Sequence, residues 1–334
     1  MRKKTPALLV ALALTTAMLA GCATAPQAAA AQSPAAAAAS TAPGPKIDKI
    51  AVTYVTAPLN VPSIVERKIG AFSDAFASAG IGVTYSNLTA GPDQTAALAS
   101  GNIQFLFAVG ATSVILAAAN GADIAIVDTY SRSPKAFMLV TGPHGPTSAA
   151  GLKGKTIAGP KGTILHQLLL AYLATAGLTA HDVNFVNMTI PAAQAALANG
   201  SADVALLAGP AASQALAAGD RKVTDGTGLV GATIVDATSR TFADAHPDLV
   251  ATFVKAHRAV LAYMAAHPDA TVTMTAAATG LSADAVRATY PDYDFSATVS
   301  AADLADLAAT QQFMLANGMI NKPVDTKALV LAQQ

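Results

Sequence analysis

The chain has 334 residues, 53% of them hydrophobic and 12% charged, with 20 Lys+Arg balanced by 20 Asp+Glu. Basic residues are not clustered and Trp is absent, so the electrostatic footprint of a nucleic-acid binder is missing. Cys22 is the only cysteine, which excludes internal disulfides, so stability must come from a large core; the length suffices for about two domains.

Arg2-Lys3-Lys4 forms a basic start, followed by an apolar run over 7–18 and then Leu19-Ala20-Gly21-Cys22. The run has the length of a signal peptide rather than a membrane span. Small residues at Ala20 and Gly21 admit a peptidase, and the thiol that follows can take a lipid. The arrangement resembles the lipobox of bacterial lipoproteins, which implies a signal peptide over 1–21 and a palmitate-type anchor on Cys22. Two or three acyl chains hold a protein firmly on a membrane. Removal of Arg2, Lys3 and Lys4 leaves the mature chain slightly acidic. No later segment approaches the roughly 18 uninterrupted apolar residues of a transmembrane helix.

Residues 22–45 are almost only Ala, Pro, Ser, Thr, Gln and Gly after the cysteine. Such a stretch has too little apolar bulk to offset ordering entropy and reads as a disordered tether. From Lys46 the texture changes. Strands are expected over 47–55, 82–88, 103–108 and 124–129, with helices over 63–79, 93–100 and 112–120. This alternation implies the α/β class with parallel strands and crossover helices. Further on, 231–235 reads as a strand and 239–265 as the lead into a long helix. His267-Pro268 ends that helix, and helices punctuated by Gly280, Pro291 and Gly318 follow.

Ala96-Ala97-Leu98-Ala99-Ser100-Gly101 reappears 99 residues on as Ala195-Ala196-Leu197-Ala198-Asn199-Gly200. In each copy a helix ends at glycine, a buried strand follows (105–108 and 204–208), and Gly110 or Gly209 opens the next helix. Alanine bias inflates the identity, and any two αβα units in an Ala-rich chain share some likeness. The matched glycines and the shared order still suggest two similarly built α/β lobes.

Five segments carry a wider resemblance: Thr56-Ala57-Pro58; Leu98-Ala99-Ser100-Gly101-Asn102-Ile103-Gln104; Gly159-Pro160-Lys161-Gly162-Thr163; Gly177-Leu178-Thr179-Ala180-His181-Asp182-Val183; and Phe242-Ala243-Asp244-Ala245-His246-Pro247-Asp248-Leu249-Val250. In this order, after a lipobox, the chain resembles the substrate-binding proteins of ABC importers in the nitrate, taurine, aliphatic sulfonate and thiamine-precursor group. The resemblance implies a periplasmic-binding-protein type II fold, two α/β lobes joined by two hinge strands. Crossings near Tyr130-Ser131 and Ala232-Thr233 would make 47–130 plus 232–334 lobe one and 131–231 lobe two.

In such lobes ligands sit beyond the C-terminal ends of strands, where helix N-termini present unpaired N–H groups and partial positive charge. Asn60, Gly91, Gly110 and Thr112, and Gly162 with Thr163, fall in loops of that kind, with Thr112 read as an N-cap. Thr163 as N-cap puts His166 at the third helical position, where a partly protonated ring could add to the field. Arg132, between Ser131 and Ser133, offers a bidentate fork to an anion. Tyr54 and Tyr130, at strand ends, could form an aromatic wall, with core packing the competing role for at least one of them. Metal-ligand spacing, GxSxG and Walker A patterns are absent, and the only thiol is Cys22. The resemblance extends to pyrimidine-synthase enzymes of the thiamine pathway, but their cysteine-rich motif is missing, so no enzyme is expected and no cofactor.

The expectation is therefore an extracytoplasmic, lipid-anchored, monomeric solute-binding protein of an ABC importer. It would capture a small organic anion in the interlobe cleft and deliver it to permease and ATPase subunits. Alternatives are a neutral or heteroaromatic vitamin precursor as ligand, favoured if Tyr54 and Tyr130 line the cleft, or a sensory binding lobe without transport.

Overall fold

A computed structural model describes residues 47–56 and 59–332. The expected signal peptide, Cys22 and the tether over 22–45 lie outside the described residues. The first part of the fold runs β1 (Lys49–Thr53), α1 (Val61–Ile69), α2 (Ala71–Ala77), β2 (Gly82–Ser86), α3 (Gly91–Ala99), β3 (Leu106–Gly110), α4 (Ala111–Ala119) and β4 (Ala125–Arg132). The single helix expected over 63–79 is broken at Gly70, whose φ of 73° is open to glycine without the Cβ clash.

The chain then builds β5 (Phe137–Thr141), β6 (Thr156–Gly159), α5 (Ile164–Ala174), β7 (Asn184–Asn187), α6 (Ile190–Ala198), β8 (Val204–Ala208), α7 (Pro210–Ala217) and β9 (Arg221–Asp225). It returns as β10 (Thr233–Thr238) and ends in α8 (Arg240–Ala245), α9 (Pro247–Ala266), α10 (Pro268–Thr279), α11 (Ala283–Thr289) and α12 (Ala301–Ala316).

β1 pairs parallel with β2, and a parallel bridge from Val52 to Phe105 joins this pair to the set β3-β10-β4. The second sheet has the order β7-β6-β8-β5-β9. The two orders correspond position by position, and β3 and β8, the strands of the internal repeat, hold the same third place. The expectation of wholly parallel strands is corrected: β10 is antiparallel to β3 and β4, and β5 to β8 and β9. The reason is connectivity. β5 follows directly from β4, and β10 directly from β9, with no crossover helix to restore direction.

The two passages between the sheets run side by side. Arg132 at the end of β4 is in register with Thr233 at the start of β10, and Gly226 N–H donates to Pro134 O at 3.0 Å. Arg132 also exchanges backbone hydrogen bonds of 2.9 Å with Asp294, which ties the segment before α12 to the same ladder.

α9 has the length and, at 1.2, the mean hydropathy of a helix able to cross a membrane, although Lys255 and Arg258 interrupt its apolar run. Its apolar face is core. Phe253 stacks on Phe72 at 4.8 Å and on Phe105 at 4.3 Å, and is fully buried. One turn on, His257 lies in the core as well, its Nδ1 3.0 Å from Asp236 Oδ2 and 3.4 Å from Asp128 Oδ2. Asp236 Oδ1 accepts the Ala108 N–H at 3.0 Å. That N–H has left the ladder because β3 and β10 slip register here, and Ala108 takes a φ of 77°. The carboxylate thus satisfies the backbone group that the bulge orphans.

Burial alone would lower the His257 pKa, but Asp236 and Asp128 outweigh it and push it up to about 10. Burial and the Asp128 charge raise Asp236 in turn. A histidine raised above its unfolded value stabilises fully below about pH 6.5. That contribution is lost as pH rises through about 10. Urea denaturation should therefore show the midpoint falling between pH 7 and 10. His257→Leu, which seals two carboxylates together without a counter-charge, should cost about 3–5 kcal/mol at pH 7.

Candidate functional site

A cavity of about 380 Å³ opens between the two sheets. From the first sheet it is lined by Thr56 beyond β1, by Ala90, Gly91 and Gln94 at the start of α3, and by Ala108, Gly110 and Ser113 where β3 turns into α4. From the second come Pro160 and Thr163 between β6 and α5, Thr189 and Ile190 between β7 and α6, and Pro210 at the start of α7. The cavity therefore collects the N-termini of α3, α4, α5, α6 and α7. Among the described residues, its lining contains no Asp, Glu, Lys, Arg or His.

The helix ends are not equivalent. Thr163 caps α5 by accepting the His166 N–H at 3.4 Å, and Thr189 caps α6 by accepting the Ala192 N–H at 3.5 Å. α3, α4 and α7 carry no side-chain cap, and proline occupies the first turn of α3 and of α7 but not of α4. The first turn of α4 thus offers the fullest set of free backbone donors, with the positive end of its dipole at the cavity. Gly91 permits the close approach of α3 to α4, since a Cβ there would overlap the Ser113 hydroxyl. Ile164, Leu165, Ile190, Phe137 and Ile234 supply apolar wall.

Of the residues singled out from sequence, Gly91, Gly110 and Thr163 line the cavity. Thr112 does not. The N-cap of α4 is Gly110, and the Thr112 hydroxyl donates to Gln167 Oε1 at 2.6 Å, linking α4 to α5 across the two sheets. Gly162 lies behind the lining, its carbonyl accepting the Ser113 hydroxyl at 2.9 Å. Asn60 is buried at the N-cap position of α1, outside the lining.

Arg132 is corrected from anion fork to structural clamp. Its guanidinium grips both oxygens of Asp303, donates to Ser296 Oγ at 2.7 Å and pairs with Asp294 at 3.3 Å. Asp303, 3% exposed, is also the capping-box residue of α12. Burial would raise its pKa, but the Arg132 and Ser300 hydrogen bonds hold it below the usual carboxylate range. Arg132→Ala should lower the unfolding free energy by about 3 kcal/mol in urea, because Asp303 loses its charge partner.

His166 is corrected as well. It is 8% exposed, packs on Phe185 at 4.9 Å between ring centroids, and its Nδ1 accepts the Gly162 N–H at 3.4 Å. Burial, with the nearby Lys161 charge, lowers its pKa to about 4, so the ring is neutral near pH 7 and adds no positive field. The unfolded chain takes up that proton near pH 6.5, and stability must fall as pH drops from 6.5 toward 4. His166→Asn keeps an acceptor for Gly162 without titrating. Between pH 7 and 5 its urea midpoint should decline less than that of the wild type.

Tyr130 is core: fully buried, it accepts the Ser63 N–H at 3.0 Å and meets Phe107 edge-on. Tyr54 faces Arg67, whose guanidinium lies 5.6 Å from the ring centroid, and is not in the lining. Sequence reasoning missed Gln94 and Thr189. Thr189 had a legible signal, a cap-type residue followed by Ile190-Pro191 at a helix start. Gln94 had none. Among the described residues, Asp128, Asp236 and His257 also have metal-ligand spacing, their ligand atoms lying within 4.8 Å of one another, but they are sealed in the core.

A family model described as NMT1/THI5 like matches residues 73–271. The chain is 29% identical over 255 residues to an Escherichia coli (strain K12) protein named as an aliphatic sulfonates-binding protein, covering 73% of this chain and 78% of that one. A Bacillus subtilis (strain 168) protein of the same name is 28% identical over 214 residues, covering 62% of this chain and 63% of that relative. In structure the chain is similar to the alkanesulfonate-binding protein SsuA from Xanthomonas axonopodis pv. citri bound to MOPS, with a TM-score of 0.77, 24% identity, and 86% and 99% of the two chains covered. It is also similar to the desulfurization enzyme DSZB, with a TM-score of 0.62, 20% identity, and 86% and 97% covered. These likenesses show the periplasmic-binding-protein fold.

Proposed function

The chain belongs to the NMT1/THI5-like family, and from that premise we propose that it is the solute-binding component of an ABC importer, capturing a small organic anion of the sulfonate type between its two lobes. The observation that carries this reading is the convergence of uncapped helix N-termini on a cavity without charged side chains. Such a site favours an anion whose charge is spread over several oxygens, each met by a backbone N–H. The apolar wall and the volume of about 380 Å³ leave room for an organic substituent that nitrate lacks. The naming of both sequence relatives as aliphatic sulfonates-binding proteins supports the same class. A heteroaromatic precursor fits less well, because Phe137 is the only aromatic residue in the lining among the described residues.

Lobe one would comprise 47–130 with 232–334, and lobe two 131–231, with the paired strands β4 and β10 as hinges. Ligand contacts made to both lobes at once would favour the closed form. The lipobox-like segment ending at Cys22 supports a lipid-anchored, extracytoplasmic protein, which would work as a monomer beside its permease and ATPase. Cys22 as the only thiol, and the relatives' naming, support binding rather than catalysis.

Thermal-shift measurements on the purified protein test the ligand class. Short alkanesulfonates should raise Tm in proportion to the logarithm of their concentration, while nitrate and pyrimidines should not. A shift with pyrimidines alone would replace the anion reading by the vitamin-precursor one.

A further inference from the structure

Gln94 sits in the first turn of α3, 2% exposed, and borders the cavity. Its Nε2 donates to Ala108 O at 3.4 Å, whereas its Oε1 has no hydrogen-bond partner among the described residues. Turning the amide over would set oxygen against the Ala108 carbonyl oxygen, so this orientation is fixed. Ala108 is itself pinned: it stands in the β3 bulge at a φ of 77°, with its N–H held by Asp236 Oδ1 at 3.0 Å. A buried acceptor left without a donor is costly, and native interiors rarely tolerate one.

We propose that Gln94 is a specificity-determining residue whose free carboxamide oxygen accepts a hydrogen bond from the ligand, so that the preferred ligand is an organic anion that also carries a neutral donor, a hydroxyl above all. This rests on the anion reading of the same cavity. A hydroxyl fits better than an ammonium group because, among the described residues, no carboxylate lines the cavity to balance a second, positive charge. The apolar wall then holds the carbon skeleton between the two polar ends, with α4 and Gln94 at separate points of the first lobe.

Titration calorimetry with three probes of matched size tests this: 2-hydroxyethanesulfonate, 1-propanesulfonate and 2-aminoethanesulfonate. Wild-type protein should bind the hydroxyl compound about 10-fold or more tightly than its methyl isostere, the range expected when a buried acceptor is left unpaired. The ammonium compound should be weaker than the hydroxyl one. In Gln94→Met, checked for an unaltered Tm, the preference for the hydroxyl compound over 1-propanesulfonate should fall to about 3-fold or less. Equal or tighter binding of 1-propanesulfonate by the wild type overturns the role of Gln94, whatever the variant does, and leaves the anion reading standing. A preference that survives in Gln94→Met also overturns it. Binding of none of the three sulfonates removes the anion reading and this proposal with it.

Discussion

The pairing of β4 with β10 is the constraint on which the architecture depends. Both passages of the chain between the sheets run through one antiparallel ladder, closed at Arg132 and Thr233. Each strand that arrives without a crossover helix must enter its new sheet against the prevailing direction, which is why β10 and β5 are the antiparallel members. The remaining βαβ strands of both sheets then deliver their C-terminal ends, and the helices that follow them, to one crevice. Arg132 adds the C-terminal segment to this ladder through Asp294 and Asp303. The residue that from sequence looks most like an anion ligand instead staples the frame around the cavity.

Among the described residues, buried charge sits in the core, where it builds structure, and none lines the cavity. Asp128, Asp236 and His257 are sealed in the core, and through Asp236 they shape the Ala108 bulge that borders the cavity. The cavity has only dipoles to offer. Backbone N–H groups at helix ends are fixed by the fold and need no reorganisation when an anion arrives, whereas flexible lysine or arginine side chains would have to be ordered first. A site of this kind selects by geometry and by the spacing of donors and acceptors.

Much of the frame was legible in the sequence. The alternation of short apolar strands with helices gave the class, and the repeat at 96–101 and 195–200 marked β3 and β8, which hold equivalent places in the two sheets. Glycines before helices pointed to Gly91 and Gly110 in the lining. What escaped was whatever depends on partners distant in the chain. Arg132 finds Asp303 at a separation of 171 residues, and Thr112 finds Gln167 at 55. His166 has the local pattern of a first-turn ligand, but burial against Phe185 decides its charge. Gln94 is one glutamine among several until the bulge at Ala108 fixes one end of its amide. Local pattern sets where helices begin, while tertiary contacts decide which of their polar groups remain free.

The two hydrogen bonds that bridge α4 and α5, Thr112 to Gln167 and Ser113 to Gly162, are buried at one edge of the cavity. The lobes therefore meet through polar groups that have already shed water, independently of any guest. Parting α4 from α5 would break both of these hydrogen bonds.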